Sequence, residues 1–303
     1  MTVGILGAGA LGCTYGGYLH DAGESAHLID VWDKHVEEIN QNGLTITSGA
    51  DERVVTPRAT TDPDEVGVVD TLFVLVKATQ TREALSNAAG VVGPETTVVT
   101  LQNGLKNVEI LSEQVAEHQI VSGSTMVGAT VTGPGSVRLY RVADTVVGGD
   151  DADRAREVVS LLEQTPLPAS MVADPRAAIW SKQLVNVAVK PTAALTELPN
   201  GALVASEHVL SVMDQLLSET REVAAAAGIA LDESDPLDRV IDACERTSEK
   251  HSSMLVDIEQ ERETEIDHIN GTVAEYGASH GVATPYNDLV TALVHGKEAT
   301  YLD

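Results

Sequence analysis

The sequence predicts an α/β domain built on a parallel sheet, followed by an all-α domain, and three observations carry that expectation. A chain of 303 residues exceeds what one hydrophobic core usually organises, so two domains are the default. From residue 1 to about 170, short β-branched runs alternate with helix-periodic segments, the pattern of strands joined by crossover helices. After about Asp174 the strand signals vanish and long segments of helical period take over. The domains are expected at 1–172 and 173–303, with a cleft between them.

Taken in order, the apolar run Val3 to Leu6 opens the sheet and Leu11 to Ala22 forms the first crossover helix. Ala26 to Ile29 is the second strand and Lys34 to Asn42 the helix behind it. Thr71 to Val76 and Thr97 to Leu101 are further strands, followed by helices Thr81 to Ala89 and Val108 to Glu117. Ile120 to Thr132 reads as two strands and Thr145 to Gly148 as another. In the second half, Arg176 to Val189, Val209 to Ala227, Leu237 to Glu245 and Glu265 to Ser279 are helix-periodic. Pro175 suits a first helical turn, Pro191 is expected to stop its helix, and Gly228 and Gly281 follow helix ends.

Composition excludes several classes. No apolar stretch approaches the roughly 20 residues a membrane span needs, and the opening MTVGILGAGALG lacks a basic leader, so a cytoplasmic protein is expected. Cys13 and Cys244 are too few for a disulfide framework and no His or Cys spacing suggests a metal; both thiols are expected to be reduced and buried. The formal net charge of −27, from 46 acidic and 19 basic residues, disfavours nucleic acid as a partner. Because the excess is spread along the chain and leaves the apolar periodicity intact, it suggests a protein adapted to concentrated salt, whose self-repulsion is screened there.

Gly7-Ala8-Gly9-Ala10-Leu11-Gly12 directly follows the first strand and opens a helix, the context that the G-x-G-x-x-G dinucleotide fingerprint requires. Gly7 permits the tight turn, Gly9 lets backbone approach a pyrophosphate, and Gly12 lets the helix lie close on the strand. The free N–H groups of the helix start favour the anion. The first domain is therefore expected to be Rossmann-type. Asp30, at the end of the second strand, is placed to accept from the adenosine ribose and to repel a 2′-phosphate, favouring NADH. Lys77, closing the strand Thr71 to Val76 in a chain of only seven lysines, offers a cation to phosphate and pulls the other way.

Lys182, Asn186 and Lys190 stand at i, i+4 and i+8 in an otherwise apolar segment and form a polar stripe on one helix at the start of the second domain. Polar groups in such a setting need a partner or a ligand. The competing reading is a solvated stripe whose lysines neutralise acidic neighbours.

At this point the chain resembles the ketopantoate reductase (2-dehydropantoate 2-reductase) family over essentially its whole length. The matching pieces are the glycine motif, Leu101-Gln102-Asn103-Gly104, Trp180-Ser181-Lys182-Gln183-Leu184 with Asn186, Ser252-Ser253-Met254-Leu255, and Thr264-Glu265-Ile266-Asp267-His268-Ile269-Asn270-Gly271. The resemblance implies NAD(P)H-dependent reduction of 2-dehydropantoate to pantoate on the route to coenzyme A. It implies Lys182 as the acid that protonates the carbonyl oxygen, and Glu265 as a catalytic partner that also lies near the cofactor. Asn186 and Glu265 would hold the distal hydroxyl and Ser253 the carboxylate, while Asn103 would lie by the reacting centre and the nicotinamide. Lys190, where the chain departs from the family, is expected among the substrate contacts as an extra cation that strengthens carboxylate binding or marks a different acid.

One geometric requirement follows. Twelve residues of unbroken helix rise about 18 Å, too far for Ser253 and Glu265 to touch one small acid, so a new helix is expected near Thr264, with Asp267 as its acidic third residue. Three departures from the family pattern matter. Lys190 and Lys250 stand where relatives commonly carry asparagine, which raises another short 2-keto acid as substrate. Val31 stands where NADPH-dependent relatives often place arginine, while family precedent points to NADPH, so the cofactor remains open between NADH and NADPH. A dinucleotide sensor without turnover is the rival from another class, and it has no need of Lys182 and Glu265 together. A homodimer is the expected assembly.

Overall fold

The computed structural model describes residues 1–231 and 235–302. The chain folds into two compact units, Met1–Gln102 with Asn107–Pro175, and Asn103–Lys106 with Arg176–Asp303. The first unit is α/β with a mostly parallel sheet and the second is helical.

The strands of the first unit are β1 (Thr2–Leu6), β2 (Ser25–Ile29), β3 (Leu44–Ser48), β4 (Asp51–Val55), β5 (Arg58–Thr60), β6 (Thr71–Val74), β7 (Thr97–Thr100), β8 (Ile120–Thr125), β9 (Gly128–Gly133), β10 (Ser136–Arg141), β11 (Thr145–Gly148) and β12 (Ala169–Met171). Its helices are α1 (Ala10–Asp21), α2 (Asp33–Asn42), α3 (Thr81–Asn87), α4 (Asn107–Ser112) and α5 (Ala152–Leu162). The main sheet runs β12-β11-β8-β7-β6-β1-β2-β5, parallel throughout except where β11 meets β8. β6, β7 and β1 carry unbroken buried runs, as strands covered on both faces must.

A second sheet, β4-β3-β10-β9, was not expected from the sequence. β9 and β10 alternate between more and less buried positions, as Ser136–Arg141 shows, while the edge strand β4 is largely exposed, so the sheet covers a core with one face and meets water with the other. Val137, Leu139, Leu44 and Ile46 pack with Tyr15 and Leu19 of α1 in one core.

The helical unit is built around α6 (Arg176–Thr196), which packs against α7 (Asn200–Val204), α8 (Glu207–Ala226), α9 (Pro236–Glu245), α10 (Ser253–Glu259) and α12 (Pro285–Glu298). A π-helical turn, Asp267–Gly271, leads into α11 (Thr272–His280). Trp180, Leu184, Val187 and Ala188 of α6 lie in this core, and Trp180 meets Tyr276 edge to face at 5.6 Å.

Pro191 corrects an expectation. α6 does not stop there but runs to Thr196 with the proline inside it. A proline has no N–H for the carbonyl four residues earlier, which here is that of Val187. The Asn270 side chain supplies the missing donor, its Nδ2 lying 3.1 Å from Val187 O. Tertiary structure thus makes good the lost hydrogen bond, one of the two reasons an internal proline stops a helix.

Candidate active site

Two sets of residues matter, one in each unit. In the first, the glycine turn leaves β1 and enters α1. Gly7 has φ +98°, and a Cβ there would lie 2.6 Å from the Val76 backbone nitrogen. At Gly12 a Cβ would strike the Gly7 carbonyl oxygen, so helix and turn touch. Gly9 differs, because a Cβ there would meet nothing within 4 Å and its φ of −70° suits any residue. Among the described residues, no packing demands glycine at that position. The open space over Gly9 fits the close approach of a dinucleotide, and Ala10, Leu11 and Gly12 offer the N–H groups that precede intrahelical bonding.

Asp30 has a structural duty as well. Its Oδ2 accepts from Ala8 N at 2.7 Å and its Oδ1 from Trp32 N at 3.0 Å, so it also fixes the glycine turn. Ala8 is pinned from the other side by the Cys13 thiol, which donates to its carbonyl at 3.0 Å. His35 Nδ1 accepts from Gly135 N, so its Nε2 carries the proton and donates to Cys13 Sγ at 3.2 Å. Burial lowers the His35 pKa, which favours that neutral form.

A cleft of about 370 Å³ opens beside this turn, lined by Gly7, Gly9, Asp30, Val31, Gln80 and Glu83 among others. Its charged lining residues are the carboxylates Asp30 and Glu83. Glu83 was not foreseen. Lys77 follows Val76 but does not line the cleft; β6 ends at Val74, and Lys77 instead caps the short 3-10 turn Ala78–Gln80.

The second set lies in the helical unit. Asn103, on the short loop that belongs to this unit, donates from Nδ2 to Glu265 Oε2 at 3.3 Å. Lys190, 7% exposed, gives its Nζ to the same oxygen at 3.4 Å. The loop is held at its far end: Leu105 packs on the helical core and Lys106 pairs with Glu275. Before it, the Gln102 amide bonds Val76 O at 2.7 Å and Thr81 Oγ1 at 2.8 Å.

Glu265 sits on an equally fixed stretch. α10 ends at Glu259, the chain turns through Glu261 at φ +53°, and helical structure resumes at Ile266 and Asp267, so the break between Ser253 and Glu265 is present. It resumes as a π turn rather than an α-helix. Thr264 N donates to the buried Glu298 at 2.7 Å, and Thr264 Oγ1 accepts from Ile266 N at 3.2 Å, bracketing Glu265 on both sides.

Lys182 lies two turns before Lys190 on α6, and its ammonium is pushed down to about 8, first by burial and then by the Lys190 charge, with Glu265 opposing. The Nδ2 of Asn186 is buried without a hydrogen-bond partner among the described residues, a donor that a ligand can satisfy. His268, one turn beyond Glu265, was overlooked in the sequence as one isolated histidine among nine. Burial lowers its pKa foremost, against the opposing charge of Glu265.

Ser253 is the exposed first residue of α10, while its neighbour Ser252 is the buried cap that accepts from Leu255 N. Among the described residues no hydrogen bond joins Ser253 to Glu265 or Lys190. Lys250 is exposed, and its carbonyl accepts from Asn200 N at 2.9 Å.

The comparisons with known proteins bear on both sets. Residues 3–151 match the family model for ketopantoate reductase PanE/ApbA, and residues 174–298 match the model of its C-terminal part. The chain belongs to the ketopantoate reductase family. A 2-dehydropantoate 2-reductase of Streptococcus pyogenes is 34% identical over 305 residues, covering 99% of this chain and 98% of the relative. The crystal structure of a PanE/ApbA family ketopantoate reductase from Ralstonia eutropha JMP134 superposes with a TM-score of 0.92 at 30% identity, covering 100% of each chain. D-mandelate dehydrogenase, solved with NADH and anilino(oxo)acetate, gives 0.93 at 29% identity over 99% of each chain. As a member of this oxidoreductase family, the chain carries Lys182, Asn186 and Glu265 in one unit and the glycine turn in the other. Among the described residues no group of three or more His, Cys, Asp or Glu could hold a metal, and no helix is long and apolar enough to cross a membrane.

Proposed function

We propose that this chain reduces 2-dehydropantoate to pantoate, a step on the route to coenzyme A, with NADH preferred and Lys182 as the proton donor. The observation that carries the reading is a half-buried lysine on α6, within the electrostatic reach of the fixed Glu265 carboxylate and of Lys190, in a chain of this family. When bound, the reduced nicotinamide supplies hydride to the C2 carbon. Lys182 gives its proton to the C2 oxygen, so the ketone becomes a hydroxyl and the lysine is left neutral until solvent reprotonates it. A donor with a pKa near the working pH suits this exchange better than an ordinary lysine. The idle Asn186 amide and the Glu265 carboxylate hold the distal hydroxyl, Ser253 meets the carboxylate, and Asn103 steadies Glu265.

The preference for NADH is supported by the cleft beside Gly9. Asp30 and Glu83 are the charged residues that line it among the described residues, and two carboxylates repel a 2′-phosphate. The glycine turn and Asp30 bind the dinucleotide, and Lys77 contributes at most to its phosphates. The net charge of −27 supports a setting of concentrated salt, and we infer a cytoplasmic homodimer.

A second reading, reduction of another short 2-keto acid, is favoured by the D-mandelate dehydrogenase likeness and by Lys190 in the cluster. The test is oxidation of NADH and of NADPH, in concentrated salt, on adding 2-dehydropantoate or a panel of short 2-keto acids. The expected result is the highest kcat/KM with NADH and 2-dehydropantoate. A better acid from the panel would select the second reading, and no oxidation with any acid would leave a dinucleotide-binding protein.

A further inference from the structure

Lys190 does more than add a cation for an acidic substrate. Its Nζ contacts the Glu265 oxygen that also accepts from Asn103, and the two charged side chains are 9% and 12% exposed. A pair so withdrawn from water is held by charge as well as by hydrogen bonding. Its backbone is also held, because Lys190 precedes Pro191 and the Val187 carbonyl that the proline leaves unpaired is bonded by Asn270. Among the described residues, Lys182, eight residues earlier on the same helix, takes its opposing charge from that carboxylate.

Two consequences follow. The carboxylate attracts Lys182 less when it is shared with a second ammonium, and the Lys190 charge itself repels a proton on Lys182. Both favour release of that proton. We propose that Lys190 is a positioning residue for the reduction: it fixes Glu265 and, by holding that charge, sets how readily Lys182 surrenders its proton to the substrate. This rests on Lys182 being the proton donor.

The other groups around the cluster do not take over this role. Among the described residues, the charges that act on Lys182 are Lys190, from its own helix, and Glu265, from the segment after α10. Beyond Glu265 stands His268, held toward its neutral form by burial, with Glu263, Asp267 and Lys106 acting on it in turn.

The test is the pH dependence of kcat/KM in the full-length protein with saturating cofactor, for the parent, Lys190→Gln, Lys190→Asn and Lys190→Arg. The parent is expected to lose activity through about pH 8 as Lys182 deprotonates. Lys190→Gln and Lys190→Asn should move that alkaline limb up by about one pH unit, and Lys190→Arg, which keeps the charge, should leave it in place. Glu265→Gln should move it down. Loss of activity at every pH with an unmoved limb, or a raised KM with an unmoved limb, would make Lys190 a structural or substrate contact and overturn the proposal. If the parent shows no limb near pH 8, or Lys182→Ala retains turnover, the underlying reading of Lys182 fails instead.

Discussion

Replacing Asn270 with alanine should destabilise the helical unit by about 3 kcal/mol, and the reason lies at Pro191. Asn270 is fully buried and its Nδ2 donates to Val187 O at 3.1 Å and to Asn287 Oδ1 at 3.0 Å. Asn287 is in turn held by the buried Glu219 carboxylate at 2.8 Å. Each buried acceptor left without its donor costs about 1–3 kcal/mol, and two are left. Val187 O cannot recover a partner from its own helix, because position 191 has no N–H. The double variant with Pro191→Ala restores that N–H, so the penalty of Asn270→Ala should shrink by about 1–2 kcal/mol in its presence. Urea unfolding in concentrated salt, followed by tryptophan fluorescence, reads this directly: Trp180 is 4% exposed inside the affected core, whereas Trp32 is 42% exposed in the other unit. A cost for Asn270→Ala below about 0.5 kcal/mol, or the same cost with and without Pro191, would refute the compensation.

Further outcomes are expected at the dinucleotide site and in bulk behaviour. Gly9→Val should fold with near-parental stability yet lose cofactor affinity by calorimetric titration, since its side chain enters open space. Gly12→Ala should lose stability as well, because its Cβ meets the Gly7 carbonyl. Turnover should be nearly flat below pH 7 and fall about tenfold between pH 7 and 9, since a lysine near 8 is mostly protonated below that value and mostly neutral above it. The thermal midpoint should rise steeply with potassium chloride concentration as the charge of −27 is screened; a midpoint independent of salt would contradict the salt adaptation.

The sequence foretold those elements whose pattern is local. The strands Thr145 to Gly148 and Ile120 to Thr132, in two pieces, were legible from β-branched runs, and the glycine turn from its position after β1. β4 was not, because Asp51-Glu52-Arg53-Val54-Val55 is largely exposed and looks like a polar loop until β3 pairs with it. α12 was overlooked although Thr284-Pro285 marks its start, and α10 was hidden in a segment noted only for its two serines. Pro191 misled for a physical reason: the donor that tolerates it lies far along the chain, at Asn270, where no local rule can see it. At the site, the stripe Lys182, Asn186 and Lys190 followed from helical period. That Lys190 would pair with Glu265, that Thr264 would be clamped by Glu298, and that Glu83 would join Asp30 on one cleft depended on tertiary placement.

Removing the Lys182 ammonium tests the account most directly. Lys182→Ala, assayed with NADH and 2-dehydropantoate at neutral pH in concentrated salt, should lose at least about a hundredfold in kcat, the usual contribution of a general acid, while binding NADH as the parent does. Parental turnover in that variant would contradict the assignment of the proton donor, however well the fold and the dinucleotide site hold.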